Sequence, residues 1–145
     1  MNGAEKLIDL LTAVCLLFLV PLFYYRSVTI GMQAILAGEA GERFLKQVSV
    51  SGEITEAVLK AFERELAQYG CENYEMIRLR TLYEPDGEAG VRKAEYVADK
   101  AGLCAEIAET GSSRLQKGDK LRLTLYVNEV PAVYFVTVRT GEESL

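Results

Sequence analysis

Between Leu7 and Tyr25 the chain reads LIDLLTAVCLLFLVPLFYY, with Asp9 its one charged residue and none from Leu10 onward. Few folds can house such a block. A helix of about 20 apolar residues matches the hydrocarbon thickness of a bilayer. A buried core helix would keep a polar face, and Leu10 to Tyr25 offers only Thr12 and two tyrosine hydroxyls. A cleavable secretory signal wants a basic start, an apolar stretch of about 7–15 residues and small residues at the cut. Here Lys6 stands beside Glu5, and the block closes on Phe23, Tyr24, Tyr25 and Arg26. The expectation is a retained single-pass anchor, with the tyrosines at the interface and Arg26 reaching the phosphates. Pro21 withholds one helical hydrogen bond and predicts a bend near Leu17 to Pro21. Lys6 and the α-amino group nearly balance Arg26 and Arg43, so the short head before the span decides orientation: N-terminus inside, the larger part exported.

Beyond the anchor lie roughly 100 residues, enough for one domain with a modest core. The division expected is 1–26 for the N-terminal head and transmembrane anchor, 27–50 for a helical neck and 51–145 for an exported α+β domain. The net charge of −5 speaks against nucleic acid as a partner, because phosphates call for a basic patch. Histidine is absent, which removes most zinc sites and the usual base of serine and cysteine hydrolases. Of the three cysteines, Cys15 lies in the anchor. Cys71 and Cys104 form an even pair in the outer domain, either a disulfide in an oxidising compartment or two separate thiols.

After Arg26, the uncharged stretch Ser27 to Gly38 is too short for a second crossing. It continues the first helix, expected from about Glu5 to Lys46. Gly31, Gly38 and Gly41 either let another helix approach closely or act as flexible points. A second helix is predicted over Glu53 to Tyr69, with Ile54, Val58, Ala61, Phe62, Leu66 and Tyr69 on one face and Gly70 as its stop. Asn73 to Glu84 reads as a strand ended by Pro85-Asp86-Gly87. A short helix is expected around Val91 to Lys100, a second piece near Leu103 to Ala108, and a loop at Gly111-Ser112-Ser113. Leu121 to Asn128 alternates cleanly, and Ala132 to Thr140 returns as its antiparallel hairpin partner. The tail from Gly141 to Leu145 is expected to fray. The core is expected to take Tyr126 and Tyr134.

Little in the chain suggests chemistry. Glu53, Glu56, Glu63 and Glu65 share a helix with Lys60, a spacing for solvated ion pairs rather than acid–base work. Asp86, Glu88, Asp99 and Glu106 lack calcium-loop spacing, and the glycine runs lack the lysine and context of a phosphate loop. No catalytic residue, metal site or cofactor is expected. Asp9 is the exception that needs a reason, since an ionised carboxylate inside hydrocarbon costs about 3 kcal/mol. Either it stays at headgroup level, or it pairs with Lys6 or the terminal amine of a neighbouring subunit and sets axial register.

An apolar N-terminal helix with Pro21, a helix after Ser51-Gly52-Glu53-Ile54-Thr55, and the Gly118-Asp119 turn before Leu121 to Val127 together resemble a type IV pilin-like subunit. More narrowly the chain resembles the small TadE-like minor pilins encoded with tight-adherence (Flp-type) pili in Gram-positive bacteria. The resemblance implies an α+β fold: a long transmembrane helix, then a small head with an antiparallel hairpin. It also implies a non-catalytic minor pilin or pseudopilin in the assembly of a pilus or secretion apparatus. Its partners would be membrane lipid and other pilin-like subunits met through the N-terminal helix. The leader departs from the prepilin pattern: it lacks a basic residue, and a cut after Ala4 puts Asp9, not glutamate, in fifth place. The other reading is a membrane-tethered extracytoplasmic module that binds or senses a ligand.

Overall fold

In the computed structural model, which describes residues 2–87 and 90–140, the apolar block and the neck are one element. Helix α1 spans Gly3–Ser51, 49 residues without interruption, extending the expected helix at both ends and passing through Pro21. It stops where Gly52 takes φ 72°, a left-handed turn that suits a residue without Cβ. The Gly52 N–H closes the last turn on the Val48 carbonyl at 2.9 Å.

The residues after Gly52 correct the expected helix start. Glu53–Thr55 is a short strand, β1, paired antiparallel with Ser112–Arg114, β4. Helix α2 then runs Glu56–Gln68, with the Thr55 hydroxyl accepting from the Val58 N–H at 3.3 Å. That N-cap satisfies a backbone donor which a helix begun at Glu53 would have taken inward. The buried face of α2 is Leu59, Phe62 and Leu66, with Val58 half-buried. Leu59 is a core residue outside the expected set, and Ala61 is exposed.

Strand β2 covers Asn73–Asp86 and carries on through Pro85. Proline is tolerated there because β2 at that level has a neighbour on one side only, so the missing donor breaks no second ladder. The next segment overturns the expected helix at Val91 to Lys100. Gly90–Ala98 is strand β3, paired antiparallel with β2 from Arg78↔Ala98 to Asp86↔Gly90. Its hairpin partner β2 was already in place, and pairing with it, not local periodicity, makes the segment a strand. Helix α3, Lys100–Thr110, takes in the expected piece near Leu103. Asp99 caps it from the Gly102 N–H at 2.9 Å, and Gly111 ends it at φ 82°. The expected loop at Gly111-Ser112-Ser113 instead feeds β4.

The hairpin is present as expected, with its limits shifted one to three residues toward the N-terminus: β5 is Lys120–Val127 and β6 is Val130–Thr137. Asn128 and Glu129 form a two-residue turn at φ 50° and 65°, the geometry whose twist matches the flanking strands. The expected frayed tail lies outside the described residues. The four long strands form an antiparallel sheet in the order β3-β2-β5-β6. The fold is mixed, one long apolar helix with antiparallel sheets, an α+β arrangement.

The second half of α1 lies on this sheet. Ala37, Ala40, Phe44, Leu45 and Val48 are buried against Leu121, Leu123 and Leu125 of β5. The small residues set the distance between them. A Cβ on Gly41 would sit 3.1 Å from both Leu123 and Leu125, and one on Gly38 would strike the Tyr134 hydroxyl. These two glycines admit the chain's own sheet, whereas Gly31 meets nothing within 4 Å. Tyr134 packs on the core from β6, while Tyr126 is half-buried on the sheet's other face. Phe44 stacks on Phe62 with centroids 4.2 Å apart, and Tyr74 meets Phe62 edge-on at 5.5 Å. Replacing Gly41 by leucine should therefore destabilise the head by about 1–3 kcal/mol through overpacking. Gly31→Ala should leave its melting temperature unchanged or slightly raised. Tyrosine-fluorescence melts of the detergent-solubilised chain check both.

Candidate functional site

Two features compete as the functional element: the bare half of α1, and a charged network at one end of the sheet. Along α1, no residue from Leu7 to Val28 is buried, and Leu7, Phe23 and Tyr25 keep about 70% of their surface. By length and composition α1 can cross a bilayer, properties it would share with a signal sequence. Its threonine hydroxyls are turned inward on the backbone: Thr12 donates to the Ile8 carbonyl at 2.8 Å, and Thr29 to the Tyr25 carbonyl at 2.9 Å. Neither hydroxyl then needs a partner from solvent or lipid. Pro21 leaves the Leu17 carbonyl without its usual helical donor. Lys6 and Asp9 both lie on this exposed part, one turn apart, and make no ion pair among the described residues. They are presented outward rather than used within the fold.

The charged network was less legible. Arg78 and Arg80 alternate with Ile77 and Leu79 on β2, and the arginine side of the strand is the one turned inward with Tyr74 and Met76. Arg78 is only 8% exposed. It donates through Nη2 to Glu106 Oε1 at 2.7 Å and through Nη1 to Glu106 Oε2 at 2.9 Å and Ser113 Oγ at 3.0 Å. Ser113 in turn donates to Glu106 Oε2 at 2.6 Å. Arg78 thus fastens β2 to α3 and β4. The Arg78 and Ser113 donors hold the Glu106 carboxyl below the usual range against a smaller opposing effect of burial.

Arg80 grips Asp119 in the same two-pronged way, Nε to Oδ1 at 3.1 Å and Nη2 to Oδ2 at 2.8 Å. Asp119 has 2% of its side chain exposed. It also accepts from the Gln116 N–H at 2.9 Å, and its carbonyl accepts from the Val138 N–H at 2.8 Å. The turn at Lys117-Gly118-Asp119 is therefore bound to β2 and to the end of the hairpin. No buried side-chain nitrogen or oxygen among the described residues lacks a partner. Arg78 Nη1 and Nη2 and Arg80 Nε and Nη2 are spent on the fold. Its sequence signal was the arginine pair at alternate strand positions, which reads equally well as a solvated face.

Other polar groups are engaged as well. Lys60 pairs with Glu56 as the helical spacing predicts, and Arg43 pairs with Glu65 across α1 and α2. Glu63 accepts instead from the Tyr74 hydroxyl at 2.6 Å, and Lys100 Nζ sits 3.6 Å above the Tyr74 ring. Burial foremost, with the Glu63 contact, pushes the Tyr74 phenol far above its ordinary value. Cys15, Cys71 and Cys104 are free thiols in this structure. Cys71 is buried, its Sγ 3.5 Å from the carbonyls of Asn73 and Tyr126, and burial pushes its thiol up. Among the described residues no group of three or more histidine, cysteine, aspartate or glutamate side chains is placed to hold a metal ion.

Compared with known proteins, the chain matches no family model, and no curated protein or solved structure is significantly similar to it.

Removing one member of a buried ion pair leaves the other uncompensated. Arg80→Ala should cost about 3 kcal/mol in a denaturant titration, and Arg80→Lys should recover only part because it cannot form the paired contact. Glu106 sets a pH dependence. Because its folded-state pKa is depressed, its contribution is complete above about pH 4.3, the ordinary glutamate value. It is lost as pH falls through the lower folded-state value. The fall in melting temperature of the wild type below about pH 4.3 should be visibly shallower in Glu106→Gln.

Proposed function

We propose that the chain is a non-catalytic, membrane-anchored pilin-like subunit, a minor pilin or pseudopilin of the TadE-like kind, acting in the assembly of a pilus or secretion apparatus. The observation that carries the reading is the double use of α1. One unbroken helix, Gly3–Ser51, has an exposed apolar first half and a second half that is the core of an α+β head. A helix serving only as a tether has no need to continue into the head's core, whereas a subunit that packs by its helix needs arm and head held as one body.

In this reading the N-terminus is cytoplasmic, α1 crosses the cell membrane of a Gram-positive bacterium once, and the head stands outside or enters a surface filament. Apolar residues such as Leu10, Leu17 and Phe18 face lipid before assembly and sister helices after it. Asp9 and Lys6 set axial register against a neighbouring subunit.

Replacing Leu7 to Tyr25 by an unrelated apolar span of equal length should abolish assembly while leaving membrane insertion and the head's melt intact. Retained function after the swap would make the arm a mere tether and the head a binding or sensing module. Asp9→Asn should reduce incorporation into the assembled fraction at least several-fold, read by fractionation and immunoblotting of surface material.

A further inference from the structure

The geometry points to a head-to-tail contact between copies of this chain, in which the free edge of β6 pairs antiparallel with the free edge of β3 in the next copy. The inference rests on the reading of α1 as an arm shared in direction by all subunits, and it names the partner surface of the head.

Among the described residues both outer strands of the sheet have one unpaired side, and each presents a row of backbone donors and acceptors as a template for another strand. Edges are usually defended by charge. β6 reads VPAVYFVT and carries none, and its Pro131 lies beside the turn, leaving Ala132 to Thr137 open. Val133 and Phe135 are 49% and 69% exposed on the sheet face away from α1. On that same face β3 exposes Val91 and Val97, at 68% and 63%, with the ion-paired Lys93 and Glu95 between them. Joined, the two edges would bring the exposed apolar side chains of β6 beside a strand whose two charges on that face, Lys93 and Glu95, already neutralise each other.

Strand direction selects this pairing. From β3 to β6 there are three successive antiparallel steps, so β3 and β6 run in opposite senses. α1 runs beside β6 in the same sense: Gly38 lies against Tyr134, and Ser49 bonds to the carbonyl of Thr137. A second copy with its arm pointing the same way therefore offers β3 antiparallel to β6, the pattern of every other pair in the sheet. Antiparallel pairing of β6 with β6 would turn one arm end for end, away from the shared membrane. Parallel β6–β6 pairing would put the two α1 helices on opposite faces of the sheet.

The contact is also stepped. β5 pairs with Asn73–Leu79 of β2, and β3 with Arg78–Asp86. The two edges are therefore offset by roughly seven residues, or about 20 Å along the strands at about 3.3 Å per residue. A heterologous contact repeats head to tail, into a ring where its rotation closes and into an open array where it does not. The groove of about 600 Å³ between α1 and β6, with Leu45, Val50 and Val136 among its walls, would receive inward-facing Ala94 and Tyr96 of the neighbour.

The test replaces Phe135 by the photoreactive residue p-benzoylphenylalanine in the full chain, expressed under conditions of assembly and irradiated in intact cells. A doubled-mass adduct is expected whose cross-linked peptide contains residues 90–98 of a second copy. The reciprocal probe at Val97 should map to residues 130–137. Val133→Asp should lower the yield of the Val97 adduct at least tenfold without changing the head's melt. Adducts of both probes to β6 and β3 of their own kind, adducts to a different protein, or no dimeric adduct from either probe would overturn the inference. The arm swap separates the two ideas. Lost assembly there with no edge cross-link in the wild type sinks the edge contact alone, and retained function sinks the assembly reading itself.

Discussion

The close seat of α1 on β5 and β6 is the constraint on which the rest of the molecule depends. Ala37, Gly38, Ala40 and Gly41 bring a helix backbone near a sheet, and the larger Phe44, Leu45 and Val48 then fill the space that opens toward Ser51. The gradient from small to large residues fixes where along α1 the sheet can lie. α2 follows from it, since Phe62 has a stacking partner only because Phe44 is held over the sheet. The exposed arm follows as well, because no described residue covers the part of α1 that lies before the seam.

The charged network completes the opposite end. β2 is longer than its neighbour β5, and the overhanging β2–β3 hairpin has no α1 beneath it. Arg78 and Arg80 take the place of an apolar layer there, binding α3, β4 and the turn before β5 through paired guanidinium–carboxylate contacts. Such pairs are demanding in geometry, which suits a junction where three short elements must be held at fixed angles. A surface otherwise open to solvent on one side also lowers the cost of burying them.

Much of this was legible in the residues. The apolar block, the face of β5 and its hairpin with β6 follow from strong local periodicity, with only the limits to adjust; the two-residue turn at Asn128-Glu129 is shorter than the Asn128 to Pro131 turn expected. The failures share a cause. Glu53–Thr55 and Ser112–Arg114 are strands only because they pair with each other from opposite ends of the head, a contact that local pattern does not encode. Gly90–Ala98 mixes apolar and charged residues on both faces because it is an exposed edge, so neither helical nor strand period stands out. The inward arginines were hidden for the opposite reason: their partners Glu106 and Asp119 are 28 and 39 residues away. Gly38 and Gly41 were visible as small residues, but what they admit is a sheet rather than a second helix.

The unbroken course of α1 also fixes an angle. An α-helix turns about 100° per residue, so Asp9 and Gly38 are separated by about eight full turns and about 43 Å of rise. The carboxylate therefore leaves the helix on nearly the same side as the residues that touch the sheet. Arm and head share one azimuth, and the number of residues between them acts as a rotational setting. One residue inserted between Tyr25 and Gly38 would swing Asp9 by roughly a quarter turn about the axis while altering the rise by only about 1.5 Å. Under the proposed register role of Asp9, chain length in this segment is constrained by phase far more tightly than by reach.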